Sequence, residues 1–161
     1  MTNLQTLRQV IQSLEAHRGD FHDVLMQRMR HDSRLTPTQL EHLGHQRLNH
    51  SEIEILSLVN QTHELPYKTL TSQVNFSQGM LSRYVKKLLT AELLVKVPLP
   101  NNKKAYDLAI TPTGTILAEL HDALHREEAA AYNTVLAQFS ESELETTEAV
   151  LRAMGQVSLK A

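Results

Sequence analysis

Apolar residues recur at helical spacing along most of this chain, and the places where that spacing fails are the informative ones. Leu7, Val10, Ile11, Leu14, Phe21, Val24 and Leu25 fall on one stripe, which predicts a long first helix from about Leu4 to Arg30, with Gly19-Asp20 as a point where it kinks or breaks. Thr36-Pro37 reads as an N-cap followed by a proline in the first turn, so a short helix through about Gln46 is expected. A firmer helix starts after Asn49 or His50, carries Ile53, Leu56 and Val59 on its buried side and ends near Thr62. Leu65-Pro66 opens the next, which carries Leu70 and Val74. Asn75-Phe76-Ser77 then supplies a turn, with Ser77 placed to cap a helix running to about Ala91.

Beyond that helix the apolar period drops from about 3.6 to 2 residues. Val95, Lys96 and Val97 alternate as a strand, Pro98 to Asn102 breaks it, and Tyr106 to Ile110 returns, so a two-stranded ribbon with a basic tip at Lys103-Lys104 is expected. Helical spacing resumes at Thr111 or Thr113 and lasts to about Gln138. Ser140-Glu141-Ser142-Glu143 has the form of a capping box and starts a last helix to about Met154. The expected fold is mainly α with a small β-wing. Residues 49–112 are expected to form a winged helix-turn-helix, a device for reading duplex DNA, and 1–48 with 113–161 a helical dimerisation region. Leu4, Leu7, Ile11, Leu136, Phe139, Val150, Leu151 and Met154 would leave a large apolar surface on a monomer, which argues for a homodimer.

Composition narrows the function. At 161 residues the chain suits one domain with a sizeable core. The absence of cysteine removes disulfides, thiolate metal sites and cysteine redox sensing together. No apolar run approaches the roughly 18 residues of a membrane span, and no secretory h-region opens the chain, so a cytoplasmic protein without a membrane partner is expected. The net charge is −2, yet from Ser77 to Lys104 six basic residues face the single acid Glu92, giving +5 there and −7 elsewhere. A basic reading head on an acidic body suits duplex DNA.

Within the helix after Ser77, the packed side is formed by Met80, Leu81, Val85, Leu88 and part of Tyr84. The DNA-binding candidates are Ser77, Gln78, Ser82, Arg83, Lys86 and Lys87, joined by Lys103 and Lys104 from the wing. Gln78, Ser82 and Arg83 occupy the first turns, the part that meets base edges, where Gln suits adenine and Arg suits guanine. Lys86 is placed for phosphate, and the wing lysines for the backbone or the adjacent minor groove. Any one of these alone reads equally well as a solvent-facing polar residue; together they form a reading head.

Nine histidines are present, and His121 and His125, four apart on the helix after the wing, share one face. Such a pair can chelate one metal ion with one or two further ligands from elsewhere. Glu41, His42 and His45 form a second small cluster, and His50 reads as a cap or surface residue.

Ser77 to Leu88, the exit Leu93-Leu94-Val95 and the return Ala109-Ile110-Thr111-Pro112-Thr113-Gly114 resemble the MarR family of transcriptional regulators, with the element order matching from about residue 4 to residue 154. The resemblance implies a homodimeric repressor on a pseudo-palindromic operator. Two departures stand out. Asn101-Asn102-Lys103 replaces the family's Asp-x-Arg in the wing, and the segment from Asp32 to Asn49 is longer than the usual connection. The family's zinc-responsive members carry His-x-x-x-His where this chain has His121 and His125. Similarity to them implies Asp23, just after His22, and Glu54 as the other ligands, a set acceptable for zinc and also for manganese or iron. On this reading no cofactor is required, and a regulatory zinc or other divalent metal is the effector. The family's other effector class is a small organic anion in the crevice between the dimer helices and the wing domain, near Phe21, Met26, Met29 and Tyr67. A metal-dependent hydrolase finds no support in a phosphate loop, a nucleophile motif or His-Glu-x-x-His, so the chain is not expected to be an enzyme. A winged helix that docks on another protein is a third class, which substitution of Arg83 and Lys86 separates from DNA binding.

Overall fold

The computed structural model describes residues 4–100 and 102–157, with the backbone alone at His17, Arg18, Gly19, Lys103 and Lys104. Its elements run α1 (Leu4–His31), α2 (Pro37–Gln46), α3 (His50–Asn60), β1 (Glu64–Pro66), α4 (Tyr67–Gln73), α5 (Gln78–Thr90), β2 (Leu94–Leu99), β3 (Asn102–Ile110), α6 (Pro112–Leu136) and α7 (Glu141–Gly155). The arrangement is mainly helical with a small antiparallel wing, as the sequence pattern predicts.

Local capping sets most helix starts. Thr36 and Gln39 close a reciprocal capping box ahead of Pro37, Asn49 and Glu52 do the same for α3, and Ser140 and Glu143 for α7. Ser77 Oγ accepts the Met80 N–H at 3.3 Å at the head of α5. Each such cap contributes about 1 kcal/mol. Residue Arg47 ends α2 in the left-handed region, at φ 46. Helix α1 runs through Gly19-Asp20 without the expected break; one interior glycine costs about 1 kcal/mol, too little to interrupt 28 residues of helix.

The sheet differs from the two-stranded ribbon expected. It has three strands in the order β1-β3-β2, all antiparallel. Leu65 lies opposite Leu108 and both are buried, so Leu65-Pro66 belongs to a strand and α4 begins one residue later, at Tyr67. Strand β3 begins at Asn102, ahead of the expected Tyr106, and the β2–β3 register shifts between Pro98 and Leu99.

Two compact units divide the chain, residues 1–124 and 125–161, with the boundary inside α6. The first is closed by its own core, in which Leu25 of α1, Leu43 of α2, Ile53, Leu56 and Val59 of α3, Leu70, Leu81, Leu88, Leu108 and Leu117 are buried. Gly114 is required where α6 leaves the wing: a Cβ there would stand 2.3 Å from the Leu93 carbonyl oxygen. Beside it, Thr111 Oγ1 accepts the Gly114 N–H at 3.0 Å and donates to the Glu92 carbonyl at 2.8 Å. The Arg34 guanidinium bridges Asp32, at 2.8 Å, and Glu119 of α6, at 2.5 Å, fastening the α1–α2 connection to that helix. Hydrogen bonds from Arg34 hold the Asp32 carboxyl down at about 2.

In the second unit α7 buries no residue, and Tyr132, Val135, Leu136, Phe139, Val150 and Leu151 are exposed. No helix among the described residues is long and apolar enough to cross a membrane.

Candidate functional site

Helix α5 is amphipathic in the sense a reading helix needs. Leu81, Val85 and Leu88, three and four residues apart, are buried, and Met80 and Tyr84 are half-buried beside them. Phe76 meets Tyr84 edge-on at 5.3 Å, packing the turn onto the first part of the helix. Gln78, Ser82, Arg83 and Lys86 are all exposed on the other side. Ser77 is exposed too, but its hydroxyl oxygen serves as the cap.

Lys87 has a different placement. Its ammonium donates to Glu52 Oε2 and to the Arg47 carbonyl, both at 2.8 Å, and so faces α3. Glu52 is only 2% exposed, and the same Oε2 accepts the Asn49 N–H at 2.8 Å. A buried carboxylate needs such partners. The sequence placed the helix start after Asn49 or His50, but nothing local to Glu52 announced a lysine on α5. On the wing, Lys103 and Lys104 sit on β3 by their backbone, while their side chains and all of Asn101 lie outside the described residues. At the wing's base the Lys96 ammonium stands 4.3 Å from the centre of the Tyr106 ring, which packs on Tyr67 at 5.2 Å. Burial, with Tyr67 alongside, raises the Tyr106 phenol above its ordinary range.

The histidines form the second feature. Residue His50 occupies the first turn of α3, directly after its cap Asn49, and α6 carries His121 into the interior, where it is 2% exposed. Their ring centroids are 5.1 Å apart, their ligand atoms come within 4.8 Å of one another, and Phe21 of α1 meets both rings edge-on at 5.4 and 5.7 Å. His125 follows one turn on along the continuous helix α6. On the Nδ1 side of His121, Ser57 Oγ lies at 3.0 Å and Asp122 Oδ1 at 3.3 Å.

Asp23 is exposed on α1, and Glu54 lies one turn along α3 from His50, its Oε1 3.3 Å from His50 Nε2. The residue set beside His121 is thus His50, which the sequence presented as a cap or surface group. Its partnership depends on α3 and α6 meeting, which no local spacing encodes. Among the described residues Glu41, His42 and His45 do not come together as a ligand group; Glu41 and His45 are exposed, and His42 Nε2 is buried without a hydrogen-bond partner. Of the residues considered for an organic ligand, Met29 is buried, Met26 packs on the core, and Phe21 and Tyr67 are engaged by the rings described above.

Comparison with known proteins extends this geometry. Residues 48–106 match the MarR family. The chain is 27% identical over 118 residues to the uncharacterized HTH-type transcriptional regulator YhjH of Bacillus subtilis, covering 73% of this chain and 67% of that one. It is 24% identical over 110 residues to the HTH-type transcriptional regulator PchR of the same organism, covering 68% and 63%. The matches therefore span about two thirds of those relatives. Among solved structures it is similar to the adhesin competence repressor AdcR from Streptococcus pyogenes, with a TM-score of 0.66, 20% identity and 97% of each chain covered. Similarity extends to ZitR, a zinc-responsive MarR family member from Lactococcus lactis, with a TM-score of 0.57, 18% identity, and 68% of this chain and 76% of that one covered. At those identities the structural likeness speaks for the fold. With its helix-turn-helix, three-stranded wing and long flanking helices in that order, the chain has a MarR-like fold, and residues 48–106 match the model of the MarR family of transcriptional regulators.

Proposed function

We propose that this chain is a homodimeric repressor whose affinity for a pseudo-palindromic operator is set by a divalent metal ion, zinc foremost, held by His50, His121 and His125. Support for the metal comes above all from the buried His121 ring beside His50, with ligand atoms within 4.8 Å. Three neutral imidazoles suit zinc, and a fourth position is left for water or for an acid such as Asp23. The shared fold with zinc-responsive ZitR agrees with this reading.

In the same proposal residues 49–112 read DNA, and 1–48 with 113–161 pair the two copies. Gln78, Ser82 and Arg83 face base edges, while Ser77, Lys86 and the wing's Lys103 and Lys104 meet the phosphate backbone. Lys87 braces the helix from behind. Two heads would meet half-sites about 34–36 Å apart. When bound, the ion joins α3 to α6, and its coupling to operator affinity is reciprocal, typically about 1–3 kcal/mol.

The test is to strip the protein with chelator and titrate zinc by calorimetry into wild type, His50→Ala and the double variant His121→Ala/His125→Ala, then measure operator binding with and without zinc. Sub-micromolar binding of one ion per chain, lost in both variants and accompanied by a change in operator affinity, is the expected result. Zinc binding that is absent, or that survives the substitutions, would overturn the metal and leave an organic ligand as the effector.

A further inference from the structure

Each of the three histidines has one ring nitrogen beside a carboxylate on its own helix. His50 Nε2 lies 3.3 Å from Glu54, His121 Nδ1 lies 3.3 Å from Asp122, and His125 Nδ1 lies 3.5 Å from Glu128. Resting on the metal reading above, we propose that Glu54, Asp122 and Glu128 are positioning residues rather than ligands. They hold each ring in one tautomer, so that His50 offers Nδ1 to the ion while His121 and His125 offer Nε2, and Ser57 completes the hold on His121.

The argument is firmest at His121. An ionised carboxylate has no proton to give, so the ring nitrogen facing it must carry the proton. The Ser57 hydroxyl, 3.0 Å from the same Nδ1, could donate or accept on its own; Asp122 on that atom settles the direction. Nδ1–H then donates to both oxygens, and the lone pair lies on Nε2. The opposite tautomer would set a nitrogen lone pair against a carboxylate and place a proton where the ion must bind. Because Ser57 and Asp122 share Nδ1, the trio is no hydrolytic relay, which needs nucleophile and acid on opposite ring nitrogens. Ser57 is itself buried, so the ring has little room to turn. Carboxylates behind neutral imidazoles also raise ligand basicity toward a dication. This gives Glu54, the acid to which the family resemblance pointed, a role behind the His50 ring instead of on the ion.

Two measurements test the proposal. Nitrogen-15 imidazole spectra of the metal-free protein read the tautomer directly, and His121 is expected as Nδ1–H. Zinc titrations of Ser57→Ala, Ser57→Thr, Glu54→Ala, Asp122→Ala and Glu128→Ala read the consequence. The four alanine variants are expected to weaken zinc by about 10–100-fold, with Ser57→Thr restoring wild-type affinity and the melting temperature of the stripped proteins little changed. An Nε2–H ring at His121, or wild-type zinc affinity in Asp122→Ala and Ser57→Ala, would overturn the positioning role while leaving the metal site standing. A wild type that binds no zinc would sink both.

Discussion

Residues 4–124 and residues 125–157 draw on the same helix-forming residues and differ in where the apolar ones end. In the first unit Leu25, Ile53, Leu56, Leu70, Leu88 and Leu117 are fully buried among one another. In the second, Val135, Leu136, Phe139, Val150 and Leu151 are about half exposed and α7 buries nothing. Apolar surface left in water forgoes about 25 cal/mol for each Å² that could be covered. The first unit therefore has a core of its own, although Leu4, Val10 and Leu14 of α1 stay exposed. The second presents a stripe that asks for a further surface, which in the homodimer proposed above is a second copy.

The largest effect should come from charging that stripe. Leu136→Asp with Leu151→Asp is expected to convert dimer to monomer in analytical ultracentrifugation and to cut operator affinity by orders of magnitude, leaving the helical content of the first unit in place. A doubly substituted protein that still sediments as a dimer would break the comparison. Truncation sharpens it. Leu117→Ala should cost about 2–5 kcal/mol in denaturant unfolding at any protein concentration. Leu151→Ala should instead lower stability by an amount that depends on concentration, because it acts through association; concentration-independent loss at Leu151 would place that side chain in a monomer core.

The smallest effect is electrostatic and confined to the first unit. The Asp32 carboxyl sits at about 2 against an ordinary 3.8. Its folded value is depressed, so its contribution is complete above 3.8 and is lost as pH falls through about 2. A carboxyl titration followed by NMR should find Asp32 in that low range in wild type and near 3.8 in Arg34→Ala. An unshifted wild-type Asp32 would remove this anchor from the account.

What the amino-acid order revealed in advance was whatever is settled within a few residues. Thr36-Pro37, Asn49, Ser77 and Ser140 announce helix starts because a cap and its partner lie three residues apart. The basic outer face of α5 was legible from its period alone. Strand β1 was not, since three residues carry no period and its partner Leu108 is far along the chain. The same holds for the link from Glu52 to Lys87 and for His50 beside His121: each joins elements that meet only after the core has formed. Gly19 misled because a local penalty was set against the packing of a long helix.

The bond between Lys87 and Glu52 also has a bearing on how such a regulator changes its target. It fastens the back of the recognition helix to the capped start of α3, while Gln78, Ser82, Arg83 and Lys86 take no part in the interior. On the proposed reading, retargeting would be modular. Those four exposed positions would be open to drift, or to redesign at the bench, with little penalty to folding, whereas a transplanted helix that lacks Lys87 would leave the buried Glu52 carboxylate without its charged partner and lower stability.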